Sequence, residues 1–233
     1  MTLAIMQPYF LPYLGYFQLM NTCDEFIVYD NIKFSRKGWI NRNRILVNGK
    51  DEYITLPLRK DSDFLNVEKR FLAETWPEER KKILNRINTY YRKAPNFENA
   101  FSLIESILLY GDLNLFGFIY NSLVAVSKYL EIHTPLTISS TIDIDHSLKA
   151  EKKVIALCKA RNAARYINPI GGTELYDRQI FTEAGIELQF LSMNEISYKQ
   201  FDNDYISSLS ILDVLMFNPK ETVREMLTLY SLK

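Results

Sequence analysis

The sequence is poor in the residues most catalytic centres are built from. It has two histidines, His133 and His146, and two cysteines, Cys23 and Cys158. The cysteines lie far apart and beside no other Cys or His, which argues against a disulfide framework and a metal knuckle. They read as buried thiols. There is no excess charge of either sign, with 28 basic and 28 acidic residues. A long nucleic-acid interface normally shows a basic excess, so no nucleic-acid partner is expected. No apolar run reaches the ~18 residues of a membrane span. The N-terminus lacks the basic start and cleavage site of a secretory signal, and the expected location is cytoplasmic. Neither G-x-S-x-G, a P-loop nor H-E-x-x-H occurs, which leaves hydrolase, P-loop and zincin chemistry without support.

What is present is a core-forming chain. Its 233 residues are 47% hydrophobic and 24% charged, enough to bury a core without staples. No linker or low-complexity run interrupts it, so residues 1–233 are expected to form a single α/β domain. Tyr and Phe are abundant, at 15 and 14. Tyrosine suits sugar and nucleotide sites because the ring stacks and the hydroxyl bonds, yet it is also an ordinary core residue.

Element patterns alternate. LAIM reads as a buried strand, QPYFLPY as a proline-fixed loop, LGYFQLMNTC as a helix and EFIVYD as a strand. That is a βαβ start. Residues 39–58 read as a hairpin around Asn48-Gly49. Three helical patterns follow, at 76–91, 97–109 and 113–130, and residues 72–130 are expected to form a helical layer or subdomain. PLTISS and ARYINP read as strands flanking a helix at 148–161. A helix over 174–184 stops at Gly185, and IELQFL is the last strand. The tail, 210–232, reads as two helical pieces broken near Asn218-Pro219. The predicted fold is α/β, with a mainly parallel, Rossmann-like sheet, an inserted β-hairpin and a helical layer.

In such sheets ligands bind at the carboxyl ends of the strands. Two loops qualify by position: QPYFLPYLGY after the first strand, and NPIGG, with Asn168, Gly171 and Gly172, after ARYI. A glycine pair before a helix serves an anion or simply makes a tight turn, and both readings stay open. KFSRKGWINRNR gathers Lys33, Arg36, Lys37, Arg42 and Arg44 around Trp39, Asn41 and Asn43. These cations suit a small anionic ligand such as a diphosphate, or form a solvated hairpin edge. TIDIDHSLK offers either an Asp-His pair or a helix N-cap region. Its Asp143 and Asp145 also have the D-x-D spacing of metal-dependent glycosyltransferases. Asp213, in LSILDVLMF, is a charge in an apolar stretch that either fixes a helix against a basic site residue or faces solvent once per turn.

The tracts AIMQPYFLPYLGYFQLM, DEFIVYDNIKF, GWINRNRI, YYRKAPNFE, YINPIGGTELYDRQIF, GIELQFL and LSILDVLMFN together resemble the WbqC-like family. The resemblance runs from about residue 3 to the C-terminus. It implies a role in O-antigen or other surface-polysaccharide biosynthesis, with acyl or aminoacyl (glycyl) transfer that forms an amide on a nucleotide-linked amino sugar. ATP or another activated acyl donor would then be consumed. A non-catalytic nucleotide-sugar or glycan-binding scaffold and a glycosyltransferase are the alternatives. The resemblance brings no catalytic residues with it, so the site rests on the motifs. Tyr9, Tyr13 and Tyr16 would stack on or hydrogen-bond the nucleotide or sugar, with Tyr13 and Tyr16 in the catalytic group. Gln7 and Asn41 would orient polar groups, Gly15 would admit the ligand, and Trp39 would stack. Lys37, Arg42 and Arg44 would hold a diphosphate, and Asp30, at a strand end, would be the general base.

The spacing Tyr13-Leu14-Gly15-Tyr16 also matches the H-x-G-H signature of HIGH-type nucleotidyl transferases and ligases. Here tyrosine replaces both histidines. A phenol hydrogen-bonds a phosphate but does not become cationic as imidazole does.

Overall fold

The computed structural model describes residues 1–233. In chain order the elements are β1 (Thr2–Met6), α1 (Leu14–Thr22), β2 (Glu25–Val28), β3 (Arg42–Val47) and β4 (Lys50–Thr55). The helical run follows as α2 (Trp76–Tyr91), α3 (Phe97–Leu108) and α4 (Leu115–Tyr129). Then come β5 (Leu136–Ile138), α5 (Ala150–Ala160), β6 (Arg165–Pro169), α6 (Arg178–Glu183) and β7 (Glu187–Met193). The chain ends in α7 (Ile211–Phe217), α8 (Lys220–Met226) and β8 (Tyr230–Leu232).

Six strands form one sheet in the order β5-β2-β1-β6-β7-β8, and β3-β4 make a separate antiparallel hairpin. All sheet pairings are parallel except β7 with β8. The chain starts at the centre, extends outward through β2 and β5, then returns to β6 on the other side. This is the Rossmann-like order, and its switch point lies between β1 and β6.

Strand residues alternate between two buried faces. Ala4, Phe26, Val28 and Ile167 face the larger core, which takes in α1 to α4, α7 and the hairpin. Leu3, Ile5, Ile27 and Tyr166 face the smaller core beneath α5 and α6. Burial on both faces explains why β1 and β2 read as continuous apolar runs. No helix is long and apolar enough to cross a membrane.

Three local expectations change. The tail is not helical to its end: Tyr230–Leu232 pairs with β7 as an antiparallel edge strand. Its three residues are too short to show a period. Gly171-Gly172 lies within a 3-10 turn over Ile170–Leu175, and the α-helix starts only at Arg178. The Asp143–Ser147 segment does not cap α5, whose N-cap residue is Lys149.

Asp213 is fully buried in α7 and pairs with no cation. Its Oδ1 accepts from Tyr198 Oη at 2.6 Å and Gln200 Nε2 at 2.8 Å, and its Oδ2 from Tyr91 Oη at 2.8 Å. Tyr91 Oη in turn accepts from the Leu46 N–H of β3 at 2.6 Å. This hub joins the hairpin, α2, α7 and the 198–200 segment. Burial holds the Asp213 carboxyl above its ordinary value, while the three donors pull it down. The folded chain therefore keeps this proton to higher pH than the unfolded chain. The contribution of Asp213 is full below the ordinary carboxylate pKa of about 3.9 and declines as pH rises from there towards the folded value.

Asp213→Ala leaves two tyrosine hydroxyls and an amide without their acceptor, and is expected to cost ~3 kcal/mol of stability by urea titration. Asp213→Asn is expected to cost less. The difference in stability between the native chain and Asp213→Asn is expected to shrink as pH rises above ~4, measured by the same titration across pH.

Candidate functional site

The loop after β1 has no regular structure, and other parts of the chain hold it in place. Phe10 N–H donates to Ile40 O at 3.0 Å. Asn43 Nδ2 donates to Phe10 O at 3.1 Å and Leu11 O at 2.8 Å. Ser210 Oγ donates to Leu11 O at 2.7 Å, and Ile211 N–H to Pro12 O at 2.8 Å. Leu11 has a φ of 41°, a left-handed conformation that is rare for a branched side chain and marks a closely determined turn. With Phe10 and Leu11 fully buried, the loop turns Tyr9 and Tyr13 the other way.

They face a cleft of about 700 Å³ at the carboxyl ends of β1 and β6. Gln7, Tyr9 and Tyr13 line it from the loop, Trp39 from the segment before β3, and Asn168, Gly171 and Gly172 from the turn after β6. The two strand-end loops and Trp39 thus share one cleft. Among the remaining lining residues, the sequence reading missed four with polar side-chain groups: Tyr29, Lys149, Tyr166 and Tyr176. Strand alternation signals two of them. Tyr29 follows β2 on the face opposite Val28, and Tyr166 lies two residues before Asn168. Lys149 stands at the start of α5, where no side chain caps the helix.

The lining phenols are donors. Burial raises Tyr9, with Tyr13 adding to it, and burial raises Tyr13, Tyr29, Tyr166 and Tyr176 as well. Each therefore keeps its proton at neutral pH. Tyr166 Oη donates to Asn168 Oδ1 at 3.1 Å, which turns the Asn168 amide. Two glycines are contact points. A Cβ on Gly15 would stand 2.4 Å from Tyr13 Cε2, and one on Gly172 would stand 1.9 Å from Asn168 Nδ2. Gly15 therefore seats the Tyr13 ring, and Gly172 seats the Asn168 amide. A Cβ on Gly171 would meet nothing within 4 Å.

Other candidates lie elsewhere. Tyr16 is fully buried, and its hydroxyl donates to Gln7 O at 3.0 Å. It supports the loop from beneath. Asp30 is buried and points away from the cleft. Its carboxylate accepts from Ser139 Oγ at 2.8 Å, Ser140 N–H at 3.0 Å and Ser140 Oγ at 2.6 Å. It fixes the turn after β5. Asn41 donates to Leu56 O within the hairpin. Arg42 bonds the carbonyls of Gly38 and Lys37 and lies over Tyr53, and Lys37 is exposed. Arg44 lines a smaller adjoining cavity. The basic cluster therefore divides between loop closure and one cation near the site.

The cleft wall has no carboxylate and no histidine. His146 holds a loop: Asn31 Nδ2 lies 2.9 Å from Nδ1, and Nε2 lies 2.9 Å from Ile142 O. Asp143 and Asp145 are exposed, and Asp145 accepts from the Ser147 N–H at 2.9 Å. The chain forms no group of three or more Asp, Glu, His or Cys suited to a metal ion.

Gly172→Ala is expected to cost ~1–3 kcal/mol through overpacking against Asn168. Gly171→Ala is expected to stay within ~0.5 kcal/mol, as other open surface positions do. Urea titration of the two variants checks the contrast.

No solved structure matches the chain. It is similar to a Mycobacterium tuberculosis (strain H37Rv) protein named Uncharacterized protein Rv1507c, 26% identical over 219 residues and covering 92% of each chain. The model of one protein family matches residues 7–225 and so takes in the loop, the hairpin, the turn after β6 and the Asp213 hub. On that match the chain belongs to the WbqC-like protein family.

Proposed function

We propose that the protein is a cytoplasmic acyl or aminoacyl transferase, forming an amide on a nucleotide-linked amino sugar in surface-polysaccharide biosynthesis. The supporting observation is the cleft at the sheet's switch point. At about 700 Å³ it has the size of a small-molecule site, which runs from ~300 to ~1,000 Å³. Tyr9, Tyr13, Tyr29, Tyr176 and Trp39 supply aromatic surface and polar hydrogens, Asn168 an amide held by the buried Tyr166, and Lys149 a cation. That mixture suits a base, a sugar and a phosphate.

In the reaction the sugar's neutral amine attacks an activated carbonyl. The C–N bond forms, the bond to the leaving group breaks, and the nitrogen gives up a proton. With no carboxylate or histidine in the wall, the residues here act by positioning and by donation. The hydroxyls of Tyr9 and Tyr13 and the Asn168 amide bind polar groups of the substrate and the oxygen that gains charge. The leaving group or solvent takes the proton. The carbonyl comes from a carboxylic acid, activated by ATP as a mixed anhydride, or from another activated acyl donor.

The wall's lack of a base also favours a second reading, a scaffold that binds the nucleotide-sugar without converting it. Incubation with a uridine-diphosphate amino sugar, ATP and a panel of acyl donors separates the two by mass spectrometry. A mass gain of one carboxylic acid less one water is the expected result. Saturable thermal stabilisation without any mass gain across the panel supports the scaffold instead.

Tyr13→Phe removes a cleft hydroxyl and is expected to weaken nucleotide-sugar binding ~5–30-fold, the effect of about 1–2 kcal/mol for a lost hydrogen bond. Tyr16→Phe is expected to leave that affinity within ~2-fold and to lower stability by ~1 kcal/mol, because its hydroxyl serves only the Gln7 carbonyl. Isothermal titration and urea titration measure the two effects. Equal loss of affinity in both variants would move the ligand out of this cleft.

A further inference from the structure

A second, smaller cavity of about 280 Å³ lies beside the cleft, lined by Tyr9, Tyr13, Trp39, Asn43, Arg44 and Ser208. Tyr9, Tyr13 and Trp39 line both spaces. The two spaces therefore adjoin along these three aromatic rings. Trp39 is braced from the hairpin side, where it stacks on Tyr53 at 6.0 Å and lies beneath the Arg44 guanidinium at 5.6 Å.

We propose that this cavity is an oxyanion subsite, taking the carboxylate or phosphate of a small second reactant while the main cleft holds the nucleotide-linked one. The assignment rests on the reading of the main cleft given above. Its own support is the state of Arg44. Nη1 is held by the Asp51 carboxylate at 2.9 Å. Nη2 reaches Ser208 O at a long 3.3 Å, and Nε is buried with no acceptor. Nε and Nη2 form one edge of the planar guanidinium, the edge that takes an oxyanion side-on with two parallel bonds. Nη2 contacts Ser208, which lines the cavity with Arg44, so this under-used edge lies beside it. A buried N–H without an acceptor is costly, and an anionic oxygen placed there removes the cost.

The other polar groups narrow the choice. Asn43 is fully engaged: Nδ2 holds the Phe10 and Leu11 carbonyls, and Oδ1 accepts the Arg44 N–H. Arg44 is thus the anion-binding group of the cavity, with the Tyr9 and Tyr13 hydroxyls as neighbouring donors. The volume is well under half that of the main cleft, which fits a reactant of a few heavy atoms rather than a nucleotide. The shared wall brings the two reactants together at Tyr9 and Tyr13.

The test is isothermal titration of the full chain at low ionic strength with sodium acetate and, separately, inorganic phosphate, each with and without uridine diphosphate. Saturable binding of at least one anion is expected. Arg44→Gln is expected to weaken it at least ~10-fold, and Arg44→Lys to weaken it as well, since lysine keeps the charge but loses the planar edge. Asp51→Asn removes the competing carboxylate without touching the cavity and is expected to strengthen binding ~3-fold or more. This gain keeps the test decisive should Arg44→Gln fail to fold. Stronger binding of acetate identifies a carboxylate, and of phosphate a phosphoryl group. Uridine diphosphate is expected to bind alongside the anion, changing its affinity less than ~3-fold if the compartments are separate. No anion binding, binding indifferent to both Arg44→Gln and Asp51→Asn, or full displacement by uridine diphosphate would overturn the subsite. Anion binding that depends on Arg44, in a chain that binds no uridine diphosphate, would overturn the nucleotide-sugar reading and leave the subsite standing.

Discussion

The candidate site depends on one constraint: the backbone between β1 and α1 is buried, and its carbonyls must be satisfied without a helix or a sheet. Prolines at positions 8 and 12 remove two donors and exclude a regular helix. An unpaired buried carbonyl costs ~1–3 kcal/mol, so the partners have to come from elsewhere in the chain. They come from two distant places. Asn43 on the hairpin serves Phe10 and Leu11, and Ser210 and Ile211 at the start of α7 serve Leu11 and Pro12. The hairpin is not part of the main sheet. Its contact with the loop gives it a structural reason to be there.

The cleft follows from the same contacts. With Phe10 and Leu11 turned into the core, Tyr9 and Tyr13 can only face outward, above the strand ends. Tyr13 is also the N-cap residue of α1, and Gly15 lets its ring come close to the first turn. Tyr16, one helical turn on, closes the arrangement from below by holding the Gln7 carbonyl. Two tyrosines three residues apart thus take opposite jobs. One presents its hydroxyl to the cleft, and the other spends it on the backbone.

That division shows what the sequence could and could not convey. The alternation of strands and helices, the Asn48-Gly49 turn and α2 were legible because each rests on local chemistry. The two loops at strand ends were legible from topology alone. Asp30 read as a strand-end base, and a strand end does face a site. The two Ser139 and Ser140 hydroxyls that engage its carboxylate lie more than a hundred residues away, and no spacing rule reports them. The run of cations around Trp39 read as a diphosphate clamp. Arg42 instead folds back on the carbonyls of its own loop, and only Arg44 reaches a cavity. Local basic density records charge, whereas the fate of each cation depends on its partners: Arg42 and Arg44 share a strand face, yet Arg42 meets the carbonyls of Lys37 and Gly38, and Arg44 meets Asp51 and Ser208. Tyr29 and Tyr166 were recoverable from strand alternation once the sheet order was known, and that order is a long-range fact.

Asp213 carries the argument a step further from the site. A basic partner and an exposed position were the two readings open for it, and the structure has neither: the carboxyl group is buried among entirely neutral donors. A carboxylate is needed because three donors converge on two oxygens, more than one amide oxygen accepts comfortably. The bonds run in one direction, from the Leu46 N–H through Tyr91 to the carboxylate, so each polarises the next. The same helix supplies Ser210 and Ile211 to the loop after β1, and the same hairpin supplies Asn43. The hub therefore clamps together the two elements whose polar groups hold Tyr9 and Tyr13. This gives a physical reason for LSILDVLMFN to be as distinctive in the sequence as QPYFLPYLGY: the acid is remote from the cleft, yet the cleft's shape is set by the elements it joins.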